Sequence, residues 1–169
     1  TEAAAKLAAR GLSVRAAEVR QAVQAADVVI LAVPYGAATG LAEVADFAGK
    51  IVVDVTNPVK DDFLGLLIGH TTSAAEEIAK ALPGAKVVKA FNTVSAAAMV
   101  DASFVPGDHD LFIAGNDAEA KKTVEALARN RLNADVDRRL TSTARDIGSG
   151  IARNLIDWQF STQQVSFED

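Results

Sequence analysis

Residues 28–33 read VVILAV, an apolar run with no polar residue alternating through it. A run of this length is too short to cross a membrane. Its lack of alternation marks a strand buried on both faces, the pattern of a parallel sheet covered by helices. Residues 51–55 (IVVDV) and 86–91 (KVVKAF) repeat the theme, and residues 110–114 (DLFIA) add a fourth such segment. Helix-forming stretches lie between them. Residues 2–10 (EAAAKLAAR) and 16–26 (AAEVRQAVQAA) precede the first strand, and 37–48 follow it. Ser73 stands three residues before Glu76, the spacing of a capping box, and opens a helix running to Leu82. Gly115-Asn116-Asp117 caps a further helix over 118–129, and 133–137 is expected as a last strand. Helix and strand alternate almost one for one, which predicts an α/β fold with a mainly parallel sheet.

Composition narrows the function. The 169 residues are half hydrophobic and suit one domain with a real core. A net charge of −5 with scattered basic residues argues against nucleic acid and anionic membrane surfaces as partners. Cysteine is absent, which excludes disulfides, thiolate nucleophiles and cysteine-ligated metal sites. His70 and His109 lie far apart and outside any metal-ligand spacing, so both read as loop residues and no metal site is expected. No Ser-His-Asp, Cys-His or paired-carboxylate arrangement suggests a hydrolase, and no catalytic side chain is assigned. With neither an apolar run near ~20 residues nor a signal peptide, the expected location is the cytoplasm.

In open α/β sheets, ligands sit outside the carboxyl ends of the strands. Three segments occupy that position: Val33-Pro34-Tyr35, Thr56-Asn57-Pro58-Val59 and Phe91-Asn92-Thr93. Each alone is an ordinary turn sequence. Together they place amides, a phenol and two prolines at one sheet edge, where they could cradle a flat polar ligand. Asp54 interrupts a buried strand and is expected to hydrogen-bond a neighbouring donor. Lys89 is expected on an edge, or reaching past it to water.

DVVILAVP (27–34), GKIVVDVTNPV (49–59), TSAAEEIAKALPGAKVVKAFNTV (72–94) and DLFIAGNDAEAKKTVEAL (110–127) together resemble the coenzyme F420-dependent NADP oxidoreductases. The resemblance implies a Rossmann-like, three-layer αβα fold over residues 1–137. It also implies hydride transfer between NADP(H) and the deazaflavin coenzyme F420. Hydride transfer between two carriers needs stacked rings in reactive geometry more than a protein acid or base, in keeping with the residues this chain lacks. By the same resemblance Pro34, Tyr35 and Thr39 lie along the ribose and nicotinamide side of NADP. Asn57, Pro58 and Val59 pack near the nicotinamide, while Asn92, Thr93 and Ala96 form the floor where the two rings meet. The partners implied are small-molecule cofactors, with a homodimer as the assembly the family allows.

Two departures are expected. The family opens with a glycine-rich βαβ unit that holds the pyrophosphate. Residues 2–10 match the helix after that unit, so the resemblance implies that the first βαβ unit is missing from this chain. Residues 138–169 lack the family's Gly-Pro turn and read as a diverged helical tail of the same domain, with Trp158 and Phe160 either packing a terminal helix or belonging to a diverged segment. Two other functions therefore stay open: an NADP-dependent reductase with a ferric, imine or flavin acceptor, and a non-catalytic interaction module on the same scaffold.

Overall fold

The computed structural model describes residues 13–60, 62, 64–100, 110–132 and 162–165, together with 5, 6 and 9. In chain order the elements are α1 (Val19–Ala25), β1 (Val28–Leu31), α2 (Tyr35–Ala38), a 3-10 turn (Leu41–Glu43) and β2 (Ile51–Asp54). They continue with α3 (Ala74–Ala81), β3 (Lys86–Lys89), α4 (Ala96–Val100), β4 (Leu111–Gly115), α5 (Ala118–Leu132) and β5 (Thr162–Val165). The strands form one sheet in the order β1-β2-β3-β4-β5. β1, β2 and β3 are parallel, with Val28 opposite Ile51 and Ile51 opposite Lys86. β4 runs antiparallel to β3, and β5 antiparallel to β4.

The unalternated runs of β2, β3 and β4 are explained by two cores, one on each face of the sheet. β1, expected to be buried on both faces, instead lies at the sheet's edge with Ile30 57% exposed. Val52, Val87 and Ala114 point to one face, where they meet Val23 of α1 and Ala75, Ile78 and Leu82 of the α3 segment. Val53, Val88 and Ile113 point to the other face and pack on Ala120, Val124 and Ala128, successive turns of α5. The fold is thus the expected three-layer α/β arrangement. Full burial of a side chain such as Ile78 contributes roughly 1.5–3 kcal/mol.

The capping box at Ser73 is present. Glu76 N–H donates to Ser73 Oγ at 3.3 Å, and Ser73 N–H donates to the Glu76 carboxylate at 2.8 Å. Asp117 caps α5 by accepting from Ala120 N–H at 2.8 Å. The helix expected over 37–48 is instead the short α2 and the 3-10 turn, with Thr39 and Gly40 between them. Both are weak helix formers, and they break the run. Residues 162–165 of the tail, expected as helical, form β5, whose backbone pairs antiparallel with β4. The remainder of 138–169 and the strand expected at 133–137 lie outside the described residues, as does His109.

β4 approaches β3 closely at Gly115. A Cβ added there would sit 2.9 Å from the Val87 carbonyl oxygen and 3.4 Å from Val88 Cα. Backbone at this distance cannot move aside as a flexible side chain would. Gly115→Ala is expected to lower stability by about 1–3 kcal/mol, read as a lower denaturant midpoint with an unchanged slope.

Candidate functional site at the carboxyl edge of the sheet

The parallel register sets the last residues of β2 and β3, Asp54 and Lys89, side by side. Both are enclosed, with side-chain exposures of 0% and 3%. Lys89 Nζ donates to Asp54 Oδ2 at 2.9 Å and also to the carbonyl oxygen of Thr56. The other carboxylate oxygen, Asp54 Oδ1, accepts Thr56 N–H at 2.8 Å. Thr56 is therefore held at both of its backbone polar groups by one ion pair. Its own hydroxyl is buried and has no protein partner. Asp54 meets the expectation of a satisfied strand carboxylate. Lys89 does not meet its own, being buried and paired rather than at an edge. Burial pulls its pKa below the ordinary lysine value, opposed by the Asp54 carboxylate.

One residue further out, the chain reaches the surface and a second contact joins the same two strands. Asn57 Nδ2 donates to the Asn92 carbonyl at 3.1 Å, and Asn92 Nδ2 donates to Asn57 Oδ1 at 3.2 Å. The turn that brings Asn92 round passes through Phe91 at φ 65°, a left-handed conformation that costs a non-glycine residue roughly 1–2 kcal/mol. The ring of Phe91 packs on the α5-side core, which offsets this cost.

Of the sequence-predicted site residues, Asn57 and Asn92 are brought into direct contact. Pro58 and Val59 follow at once and start a small hairpin, with Val59 bridging Leu66 and Leu67 N–H donating to the Pro58 carbonyl at 2.7 Å. Thr93 is exposed in the turn after Asn92, and Ala96 is the exposed first residue of α4. Pro34 precedes α2 and Thr39 closes it. Tyr35 is half-buried against the α3-side core. Burial pushes its phenol pKa up, reinforced by the negative charges of Glu77 and Asp54.

Two surface grooves of about 320 and 360 Å³ lie at the opposite end of the sheet. The first is lined by Phe47 and Pro83, which precede β2 and β3. The second includes Lys86 and Asp117, already paired to each other at 3.2 Å. Neither involves the carboxyl-edge residues. Among the described residues, no group of His, Asp and Glu could hold a metal ion, and no helix is long and apolar enough to cross a membrane.

Comparison with known proteins finds oxidoreductase relatives. Residues 1–58 match the family described as NADP oxidoreductase, coenzyme F420-dependent. The chain is 38% identical to an F420-dependent NADP reductase of Methanocaldococcus jannaschii, over 66% of this chain and 52% of that protein. The chain is thus similar to F420-dependent NADP reductases over part of its length. It is also 36% identical to the metalloreductase STEAP3 of Rattus norvegicus, over 84% of this chain and 28% of that protein. A solved structure of a hypothetical protein, SMa0349, from Sinorhizobium meliloti superposes with a TM-score of 0.59 at 38% identity. That superposition covers 76% of this chain and 65% of the other. The chain thus spans between about a quarter and a half of the length of these two curated relatives.

The Asp54–Lys89–Thr56 arrangement is the part of the edge that sequence reasoning missed. Its signal was available: IVVD and KVVK each carry a charge at the last strand position, and the two signs are opposite.

Two measurements follow from these charges. Lys89→Met leaves Asp54 buried and unpaired and is expected to cost about 3–5 kcal/mol in chemical denaturation. Asp54→Asn/Lys89→Met, which removes both charges, is expected to cost clearly less, because the two sites are coupled. Tyr35 is the chain's single tyrosine. Its ultraviolet titration is expected to show a midpoint above the ordinary value of about 10 in the native protein, returning to it in denaturant. Because the folded pKa is the higher one, its contribution to stability is fully present below about pH 10 and lost as pH rises through the folded pKa.

Proposed function

We propose that the carboxyl edge binds the nicotinamide half of NADP(H) and that the protein passes hydride between NADP(H) and the deazaflavin coenzyme F420. The observation that carries this reading is the Asn57–Asn92 amide pair, which bridges β2 and β3 where ligands of such sheets sit. The match of residues 1–58 to the F420-dependent family and the similarity to reductase relatives support it.

The residues present fit such a group. Each carboxamide of the pair retains hydrogen-bonding capacity beyond the contacts made within it. The Thr56 hydroxyl, one residue before Asn57, is buried without a protein partner. Asn57, Asn92 and Thr93 would orient the ring's polar substituent, while Pro58 and Val59 would cover a ring face and exclude water. Tyr35, a phenol that is neutral near pH 7, would offer a hydroxyl along the ribose side without adding negative charge beside a phosphate-bearing ligand. When bound, NADPH supplies the hydride and the deazaflavin accepts it. The chain's own work is to hold the two flat rings close and dry, which can supply much of the barrier reduction.

A second reading replaces the deazaflavin by ferric ion as acceptor, favoured by the 36% identity to a metalloreductase over most of this chain. Bleaching of oxidised F420 on addition of NADPH separates the two. No bleaching alongside ferric reduction would move the assignment to the second reading. Asn57→Ala is expected to weaken NADPH binding about tenfold in calorimetric titration, because it strips one polar contact from the ring and leaves Asn92 unpaired. Unchanged affinity would remove the amide pair from the site.

A further inference from the structure

We infer that Lys89, which lies beneath the proposed cofactor site and does not reach it, is the residue that positions that site. The inference rests on the NADP(H) reading of the carboxyl edge for what is positioned, but its physical basis is independent of that reading. Lys89 is 2% exposed, so no cofactor on the rim could touch its ammonium. Its two contacts are Asp54 Oδ2 and the Thr56 carbonyl, and Asp54 in turn fixes Thr56 N–H. Thr56 is thereby clamped from both sides, and the next residue is Asn57. The clamp and the Asn57–Asn92 pair are two tiers of one tie between β2 and β3, the inner ionic and dry, the outer neutral and at the surface.

A lysine is suited to the inner tier. An ammonium carries three donors on a point charge, so one side chain can satisfy a carboxylate and a carbonyl that face it from different directions. An uncharged residue of similar length would fill the space but leave the Thr56 carbonyl buried and unpaired. The segment would then move to recover a hydrogen bond. Asn57 moves with it, and small displacements of such supporting groups loosen a site disproportionately.

The test compares the wild-type protein, Asp54→Asn/Lys89→Met and Lys89→Cys. The double variant removes both charges, keeps an acceptor for Thr56 N–H, and avoids an unpaired buried carboxylate that could prevent folding. Nuclear magnetic resonance of the Asn57 and Asn92 side-chain amides reports the outer tier directly, with or without cofactor. In the folded double variant these signals are expected to shift towards those of free carboxamides, and NADPH affinity to fall by about tenfold. The chain has no cysteine. Lys89→Cys can therefore be alkylated uniquely with bromoethylamine in denaturant and refolded, which restores an ammonium at this position. Recovery of both the amide signals and the affinity in that product is the expected result, and a general packing role for position 89 would not produce it. A folded double variant with unchanged Asn57 and Asn92 signals would overturn the inference. Wild-type protein that shows the tied amide signals but binds no NADPH would overturn the cofactor reading and leave the positioning of Asn57 by Lys89 standing.

Discussion

The structure of the carboxyl edge depends on one ion pair removed from water. Asp54 and Lys89 end neighbouring parallel strands at matched positions, and burying either alone would be prohibitively costly. Each survives because the other is there and because Thr56 supplies the remaining partners through its backbone. The arrangement constrains more than itself. It sets where β2 must stop, how the chain leaves it, and which residue first meets solvent between β2 and β3.

The rest of the fold supplies a rigid frame for that constraint. Two apolar cores grip the sheet from opposite faces, so β2 and β3 cannot slide or rotate without exposing valines on both sides. α3 enters the edge through a reciprocal capping box whose Glu76 is followed by Glu77, one of the charges felt by Tyr35. Phe91 accepts a left-handed backbone to return the chain towards Asn57. These features tie three strand ends into one rim, while the open grooves lie at the far end of the sheet.

Such a rim suits chemistry in which the protein contributes position more than proton transfer. That is consistent with the similarity of residues 1–58 to NADP-linked oxidoreductases and with a chain that has no cysteine and only two histidines. The two kinds of reductase relative differ in the acceptor they are named for, and the NADP-facing residues are common ground between the two proposals.

The sequence by itself determined the fold class and the positions of β1 to β4 to within two residues, and it placed polar turn segments at the carboxyl ends of β1, β2 and β3. Unalternated runs such as IVVDV and KVVKAF suit burial between two helical layers, and Asn-Pro or Asn-Thr at their ends suit the rim. It also placed the capping box at Ser73, because that motif is local and its partners lie three residues apart. It did not resolve the break at Thr39-Gly40, the antiparallel turn into β4 or the strand at Thr162–Val165, where pairing partners outweigh local preference. Only the tertiary structure decided the register of β2 against β3. That register made a buried pair of Asp54 and Lys89, and an amide clasp of Asn57 and Asn92, from residues thirty-five positions apart. No local propensity encodes such a meeting, because it depends on which strands become neighbours and how far each is shifted along the other.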